Sequence, residues 1–400
     1  MNKDMTDLSA LLGQLPLQIP APGKSPEWTA LVGAYKERGI HRLPFRSKQA
    51  ALFGELQIPG LTCADLSCGE TLLVPAHANE HHGRVALPAG INCVGSRSPL
   101  RPDFRLIRFR DVEVVFGTNT FTILDRAGAF DPVSGRIPAP ADIQRPGDAR
   151  IKSAVITIDR YGATNISHYL FDAIGRYLTF RISAHPMGSW PDAPPLLLPL
   201  VGKAYQRYVT ERMDLPYIQA APLTKIAVKE LLVCSQVTND EAEGYSHPAY
   251  LAHEATIREM HRRIRRDAPN GRDRIYISRR DTDRRMIVNE AAFEDRLRAY
   301  GFTVILAARM TPKEQLATLA RAGTVVAPHG AGLTNLIACR PGTVVHEIFH
   351  PLKGTDAYTV LAQAQGLPYS FSVMADEGGD FRGRLDIEEI CDRLHDAGAI

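Results

Sequence analysis

Two groups of residues in this chain have the types and spacing that chemistry needs. The first surrounds the string APHGAGLTN. His329, Gly330, Ala331, Gly332, Leu333, Thr334 and Asn335 directly follow the apolar run TVVAP. Two glycines separated by one small residue let a backbone turn tightly and approach a ligand. A helix starting there directs free N–H groups, and the positive end of its dipole, at the same place. That arrangement suits a diphosphate. Ser278, Arg279 and Arg280 follow another apolar run, RIYI, and a guanidinium is a planar donor for phosphate oxygens that stays charged. Glu347 closes the strand after the HGAG helix and reaches the same edge, where a carboxylate accepts hydrogen bonds from sugar hydroxyls. The second group is His168, Asp172 and Arg176 in NISHYLFDAIGRY, spaced i, i+4, i+8 and so forming one polar stripe on a helix. Each feature has a plainer reading: a tight strand–helix junction, solvated strand-end charges, or a solvated helix face.

The elements that position these residues are clearest in the last third. RIYI, FTVILA, TVVAP, TVVHEIF and YSFSV read as short apolar strands. Between them lie a helix opening near Asn289 and stopped by Gly301, one opened by Thr311-Pro312, LTNLIAC, and AYTVLAQAQ. Ile387, Ile390, Cys391 and Leu394 mark a closing helix. Strict alternation of this kind predicts a doubly wound parallel sheet over 251–400, covered on both faces. Ligands of such sheets bind beyond the carboxyl ends of the strands. Residues 151–250 read as a second, less regular α/β lobe, with SAVITI, PLLLPL and a stretch at 226–237 as strands and AYQRYVTERM as a helix. On the helix starting near Asn165, Ile166, Tyr169, Leu170, Ala173 and Tyr177 share the apolar face. Residues 1–150 read as a partly β section in which VEVVFG and TFTIL are strands and 131–148 an exposed connection.

The chain has 400 residues, 44% apolar and 23% charged, with a formal net charge of +3. That balance belongs to an ordinary globular protein and argues against binding nucleic acid across the surface. The six cysteines contain no CxxC pair, which fits reduced thiols. The N-terminus resembles neither a signal peptide nor an anchor, so the expected location is cytoplasmic, with peripheral contact at the inner membrane face left open.

IYISRR with Arg285, Asn289 and Glu290, then APHGAGLTN, then PGTVVHEIF, together resemble glycosyltransferase family 61. The resemblance runs over about 150–375 and takes in NISHYLFDAIGRY. It implies a GT-B fold of two Rossmann-like lobes and an inverting transfer that needs no divalent metal and no cofactor beyond the nucleotide-sugar donor. It also implies a glycan or lipid-linked glycan acceptor in surface-polysaccharide assembly, of the capsule or lipopolysaccharide kind. Under it, 251–400 is the donor lobe and 151–250 the acceptor lobe. Asp172 or His168 is then the base for the acceptor hydroxyl, while Arg279 and the His329–Gly332 turn neutralise the leaving diphosphate. Tyr169 stands where the family often has tryptophan, and Gly175-Arg176 where proline-arginine is common. Those departures bear on the acceptor.

Three further signals carry less. Asp281-Thr282-Asp283 has the form of a metal-binding DxD but sits among arginines, as salt-bridged loop acids do. His77, His81 and His82 with Cys63, Cys68 and Cys93 match no zinc spacing. Arg258–Arg274 carries seven arginines, read as a solvated helix face or a contact for anionic lipid or glycan. The rival functions are a non-catalytic subunit that binds sugar nucleotide or glycan, and a nucleotide-sugar epimerase of similar fold.

Overall fold

The computed structural model describes residues 70–74, 104–116, 121–125, 128–130, 149–157, 165–184, 194–199, 202–220, 225–234, 254–268, 270–355 and 357–400. The sequence-predicted connection at 131–148 and the His77–His82 and Cys63–Cys93 residues lie outside them. The chain divides into two compact units: one holds the strands up to residue 234, the other holds residues 203–214 and everything from 245 onward.

In the first unit a mixed sheet runs β4-β3-β2-β8-β5-β6-β7, with β1 also on β2. Its strands are β1 (Glu70–Val74), β2 (Phe104–Phe116), β3 (Phe121–Asp125), β4 (Gly128–Phe130), β5 (Ala149–Ile156), β6 (Leu196–Pro199), β7 (Tyr217–Ala220) and β8 (Lys225–Cys234). β5 through β8 pair in parallel, while β1–β4 and the β2–β8 pairing are antiparallel. Strands on both sides of residue 150 thus hydrogen-bond into one sheet. After β5 the chain forms a single continuous helix in three pieces. α1 (Ile166–His168) is capped by Asn165, whose side chain accepts from the Ser167 amide. A π turn follows over Tyr169–Gly175, and then α2 (Arg176–Ala184).

This helix corrects the expectation of a polar stripe opposite an apolar one. Tyr169, Leu170, Phe171, Ala173, Ile174, Tyr177, Leu178 and Phe180 are all buried, as are Ser167, Arg176 and Thr179. A helix buried along nearly all of its described length belongs in a core. The Thr157 hydroxyl donates to the Ala173 carbonyl at 2.7 Å, within the π turn. Arg176 Nη1 donates to the Thr157 carbonyl at 3.2 Å, which locks its guanidinium to the end of β5. Arg176 therefore lies on no solvated face.

The second unit carries a five-stranded, wholly parallel sheet in the order β10-β9-β11-β12-β13. The strands are β9 (Asp273–Ile277), β10 (Phe302–Ile305), β11 (Ala322–Pro328), β12 (Val344–Phe349) and β13 (Tyr369–Val373). Helices α3 (Ala204–Met213), α4 (Glu254–Ile264), α5 (Glu290–Ala299), α6 (Pro312–Arg321), α7 (Ala357–Gln365) and α8 (Ile387–Asp396) pack with it. Alternate strand residues face opposite ways. Tyr276, Val326 and Ile348 meet Phe293 and Leu297 of α5 and Ile390 and Leu394 of α8, while Ile277 on the other face lies under Gly332. The sheet is covered on both faces, as its apolar strands require. Gly301, at φ +80°, ends α5 in a conformation glycine adopts without strain. Thr311 and Glu314 form a reciprocal capping box for α6, with Pro312 at its first position. The segment after the HGAG turn is a 3₁₀ helix, Ala331–Ala338, not an α-helix.

The arginine-rich stretch holds helix ends together. Arg265 Nη1 donates to the carbonyls of Ala320 and Ala338, where α6 and the 3₁₀ helix stop. Arg263 donates to the carbonyls of Met213 and Asp214 at the end of α3. Arg212 donates to Ile264 at the end of α4. Cations at helix C-termini satisfy orphan carbonyls and oppose the dipole. Among the described residues no helix is long and apolar enough to cross a membrane.

Candidate functional site

The sheet order fixes where a ligand would bind. From β9 the chain moves outward to β10, then returns to β11 on the other side of β9. The carboxyl ends of β9 and β11 therefore flank the point at which the winding reverses, where open parallel sheets form their crevice. The residues that follow β9 are Ser278, Arg279 and Arg280, and those that follow β11 are His329–Gly332.

Their contacts divide them. Ser278 is buried, and its hydroxyl donates to Glu294 Oε1 at 2.7 Å. Arg280 pairs with Glu294 Oε2 at 3.1 Å and is otherwise exposed. Both serve the α5 side of the loop. Arg279 turns into the crevice. Its Nη1 lies 3.4 Å from the His329 carbonyl and its Nη2 3.0 Å from the Arg284 carbonyl. Its Nε is buried with no partner. Burial, with repulsion from Arg285 second, lowers the Arg279 pKa to about 10, so the guanidinium is still charged at neutral pH. Beneath it, Glu290 on the first turn of α5 accepts from the Arg279 amide at 2.7 Å and from the Tyr276 hydroxyl at 2.8 Å. Burial raises the Glu290 pKa.

Arg285 completes the pair. It sits at φ +54°, unusual for a side chain of its size, with its amide donating to the Asp380 carbonyl. Burial lowers its pKa too. Among the described residues neither Arg279 nor Arg285 forms an ion pair through its guanidinium. The sequence reading singled out Arg279 but not Arg285 as a site residue. The signal available was its place in the string R-x-x-x-NE.

The HGAG turn is shaped around Arg279. A Cβ on Gly330 would stand 2.6 Å from Arg279 Nη1, and one on Gly332 would press Ile277 at 3.2 Å. Glycine at 330 is thus a matter of space, since its backbone is extended at φ 168°. Leu333, Thr334 and Asn335 are buried. Asn335 donates to the Gly332 carbonyl at 3.1 Å and to Gln315 at 2.9 Å, bracing the turn from behind.

Glu347 is not the strand-end acid that the sequence suggests. It lies within β12, fully buried. Its Oε1 is 2.5 Å from His329 Nδ1, and its Oε2 accepts from the Tyr369 hydroxyl at 2.6 Å. The carboxylate that was to meet sugar hydroxyls therefore holds His329. The His329 ring is stacked on Phe349 at 5.3 Å and lies 5.5 Å from the Tyr358 ring. Asp281, of the DxD string, accepts from the Ala308 amide at 2.8 Å and braces the turn after β10. Asp283 is exposed. No cluster of three metal-ligating side chains occurs among the described residues.

His168 and Asp172 lie in the first unit, on α1 and in the π turn. His168 is half-buried; the Asp172 side chain is outside what the structure describes.

Residues 166–346, which include both clusters, match the family model Glycosyltransferase 61. Over these residues the chain is similar to glycosyltransferase family 61. The chain matches no curated protein.

Proposed function

We propose that this glycosyltransferase binds a nucleotide-sugar donor with its diphosphate at the crevice between β9 and β11 and transfers the sugar with inversion. One observation carries the reading: the Arg279 guanidinium lies against the HGAG turn with its Nε buried and unpartnered, and neither it nor the half-buried Arg285 forms an ion pair among the described residues. Two desolvated like charges are costly unless an anion neutralises them. A diphosphate leaving group does so, and most strongly as the bond to the sugar breaks. The acceptor hydroxyl attacks the anomeric carbon as the bond to the diphosphate oxygen breaks, and Asp172 or His168 takes the hydroxyl proton.

Because guanidiniums supply the positive charge, we read the transfer as metal-independent. We read the acceptor as a glycan or lipid-linked glycan of a surface polysaccharide, in a GT-B arrangement, on the strength of the family likeness.

The test is a thermal-shift panel of nucleotides and nucleotide sugars, with and without EDTA. We expect a stabilising donor whose effect survives EDTA and disappears in Arg279→Ala. A shift that EDTA abolishes would sink the metal-independent reading. No shift with any nucleotide at millimolar concentration would sink the donor site. Product analysis by NMR then reads inversion from the anomeric configuration.

A further inference from the structure

We propose that Asn289 is a positioning residue: it clasps the hairpin that follows β13 against the loop bearing Arg285, and the peptide joining Arg284 to Arg285 then holds the Arg279 guanidinium in place for the donor's diphosphate. The inference rests on the donor-site reading above and assigns what keeps that site preformed. The hairpin consists of β14 (Ala375–Asp376) and β15 (Gly383–Arg384), paired antiparallel. β13 is separated from β9 by β12 and β11, so the hairpin brings the chain back across the sheet to the loop that follows β9. There it meets residues 285–289 in a short parallel ladder. The Gly383 amide donates to the Met286 carbonyl at 3.0 Å, and the Val288 amide donates to the Gly383 carbonyl at 2.8 Å. Asn289 closes the ladder with its side chain: Nδ2 donates to the Leu385 carbonyl and Oδ1 accepts from the Leu385 amide, both at 2.9 Å. A Cβ on Gly383 would overlap the Met374 sulfur, so this close approach needs glycine. From the other side the buried His350 donates through Nε2 to the Arg382 carbonyl at 3.3 Å.

The hairpin reaches the donor site through a single peptide unit. The Arg285 amide donates to the Asp380 carbonyl at 3.2 Å, and the Arg284 carbonyl accepts from Arg279 Nη2 at 3.0 Å. These are the two polar groups of one peptide, and in a trans peptide they point in opposite directions. The hairpin therefore bonds one side of that unit and Arg279 the other, and each bond polarises the other in the same sense. Arg285 sits at φ +54°, a conformation that a side chain of its size keeps where its surroundings impose it. The ladder to residues 380–385 is what imposes it, and Asn289 supplies the side-chain share of that ladder. A guanidinium on a long side chain has many rotamers, and orienting it before the ligand arrives removes that ordering from the cost of binding. Loss of the clasp releases the peptide, and with it the Nη2 bond, without removing any group that meets the donor.

A double-mutant cycle tests this, read by isothermal titration of the full-length protein with the nucleotide sugar found by the panel. Arg279→Lys keeps a positive charge at the site and loses the fork whose Nη2 the peptide holds. Asn289→Ala should weaken the donor about tenfold in the wild-type background and less than about twofold in Arg279→Lys. A general loosening of the fold would weaken it equally in both. Asn289→Ser also breaks the clasp while offering α5 a favourable cap. It gives the same pattern and still reports if Asn289→Ala does not fold. Undiminished donor binding in these Asn289 variants overturns the inference and leaves the donor site standing. Equal losses in the two backgrounds overturn it as well. Failure of every nucleotide sugar to bind the wild type overturns the donor-site reading, and this inference with it.

Discussion

The ends of β9 and β11 and the helix from Ile166 to Ala184 both carry polar residues within apolar surroundings, yet they use them in opposite ways. In and beside the helix, buried polar groups hydrogen-bond to backbone carbonyls. Thr157 donates to the carbonyl of Ala173, Arg176 to that of Thr157, and Tyr177 to that of Pro194 at 2.7 Å. At the strand ends the arginine guanidiniums are left partly unspent: Arg279 has an orphan Nε, and the charge of Arg285 adds to burial in lowering its pKa. Desolvation that is satisfied builds a core, and desolvation left unsatisfied builds a site.

The sharpest way to break this contrast is to ask whether the helix also holds reacting groups. Asp172→Asn and His168→Gln should differ widely in kcat/KM: the one that is the base loses about 10³-fold and the other less than about tenfold. Equal and small losses would confine the chemistry to the strand ends. Next in size is Gly330→Ala, whose added Cβ must displace Arg279 Nη1 from 2.6 Å. About 10²-fold should be lost from kcat/KM with little change in melting temperature, as expected when one preorganised donor is moved. A large drop in melting temperature instead would make Gly330 structural.

Arg176→Met tests the other side. It leaves a buried carbonyl at Thr157 short of a donor and should cost about 2 kcal/mol by urea denaturation, a core-sized effect. The last test concerns His346, buried between Ser370 and Ser372 at 2.8 and 2.9 Å. Burial, then Arg393, lowers its pKa to about 3. The unfolded chain therefore binds the proton first as pH falls below about 6.5. His346 contributes stability above that pH, and loses it at up to about 1.4 kcal/mol per pH unit down to pH 3. His346→Gln should flatten the pH dependence of urea unfolding between pH 6.5 and 5, and an unchanged slope would place the titration elsewhere.

The sequence spoke clearly where one physical rule dominated. The strands and helices after residue 270 follow from apolar periodicity and from caps such as Thr311-Pro312 and Gly301. The ligand edge follows from the strand order. What was hidden is hidden for particular reasons. Glu347 sits mid-strand in TVVHEIF, and nothing in the sequence says that its carboxylate meets a histidine eighteen positions earlier rather than solvent. Arg285 is marked by a positive φ, which has no residue signature. The helix at 166–184 was misread because i, i+4, i+8 assumes an α-helical pitch, and the stretch Tyr169–Gly175 does not have it. The arginines of Arg258–Arg274 looked like a surface because their acceptors are carbonyls of distant helix ends.

The π turn has a consequence of its own. It accommodates more residues per turn than the α-helix on either side, so α2 is rotated in phase relative to α1 while the axis runs on. A helix interior normally tolerates whole turns gained or lost and no single residues, because one residue rotates every later side chain by about 100°. Here the phase slip is already absorbed between Tyr169 and Gly175. Shortening that stretch by one residue would return it to α-helical winding, with the rest of the helix still facing its neighbours. The segment bearing Asp172 is thus the place in this core where chain length itself can vary.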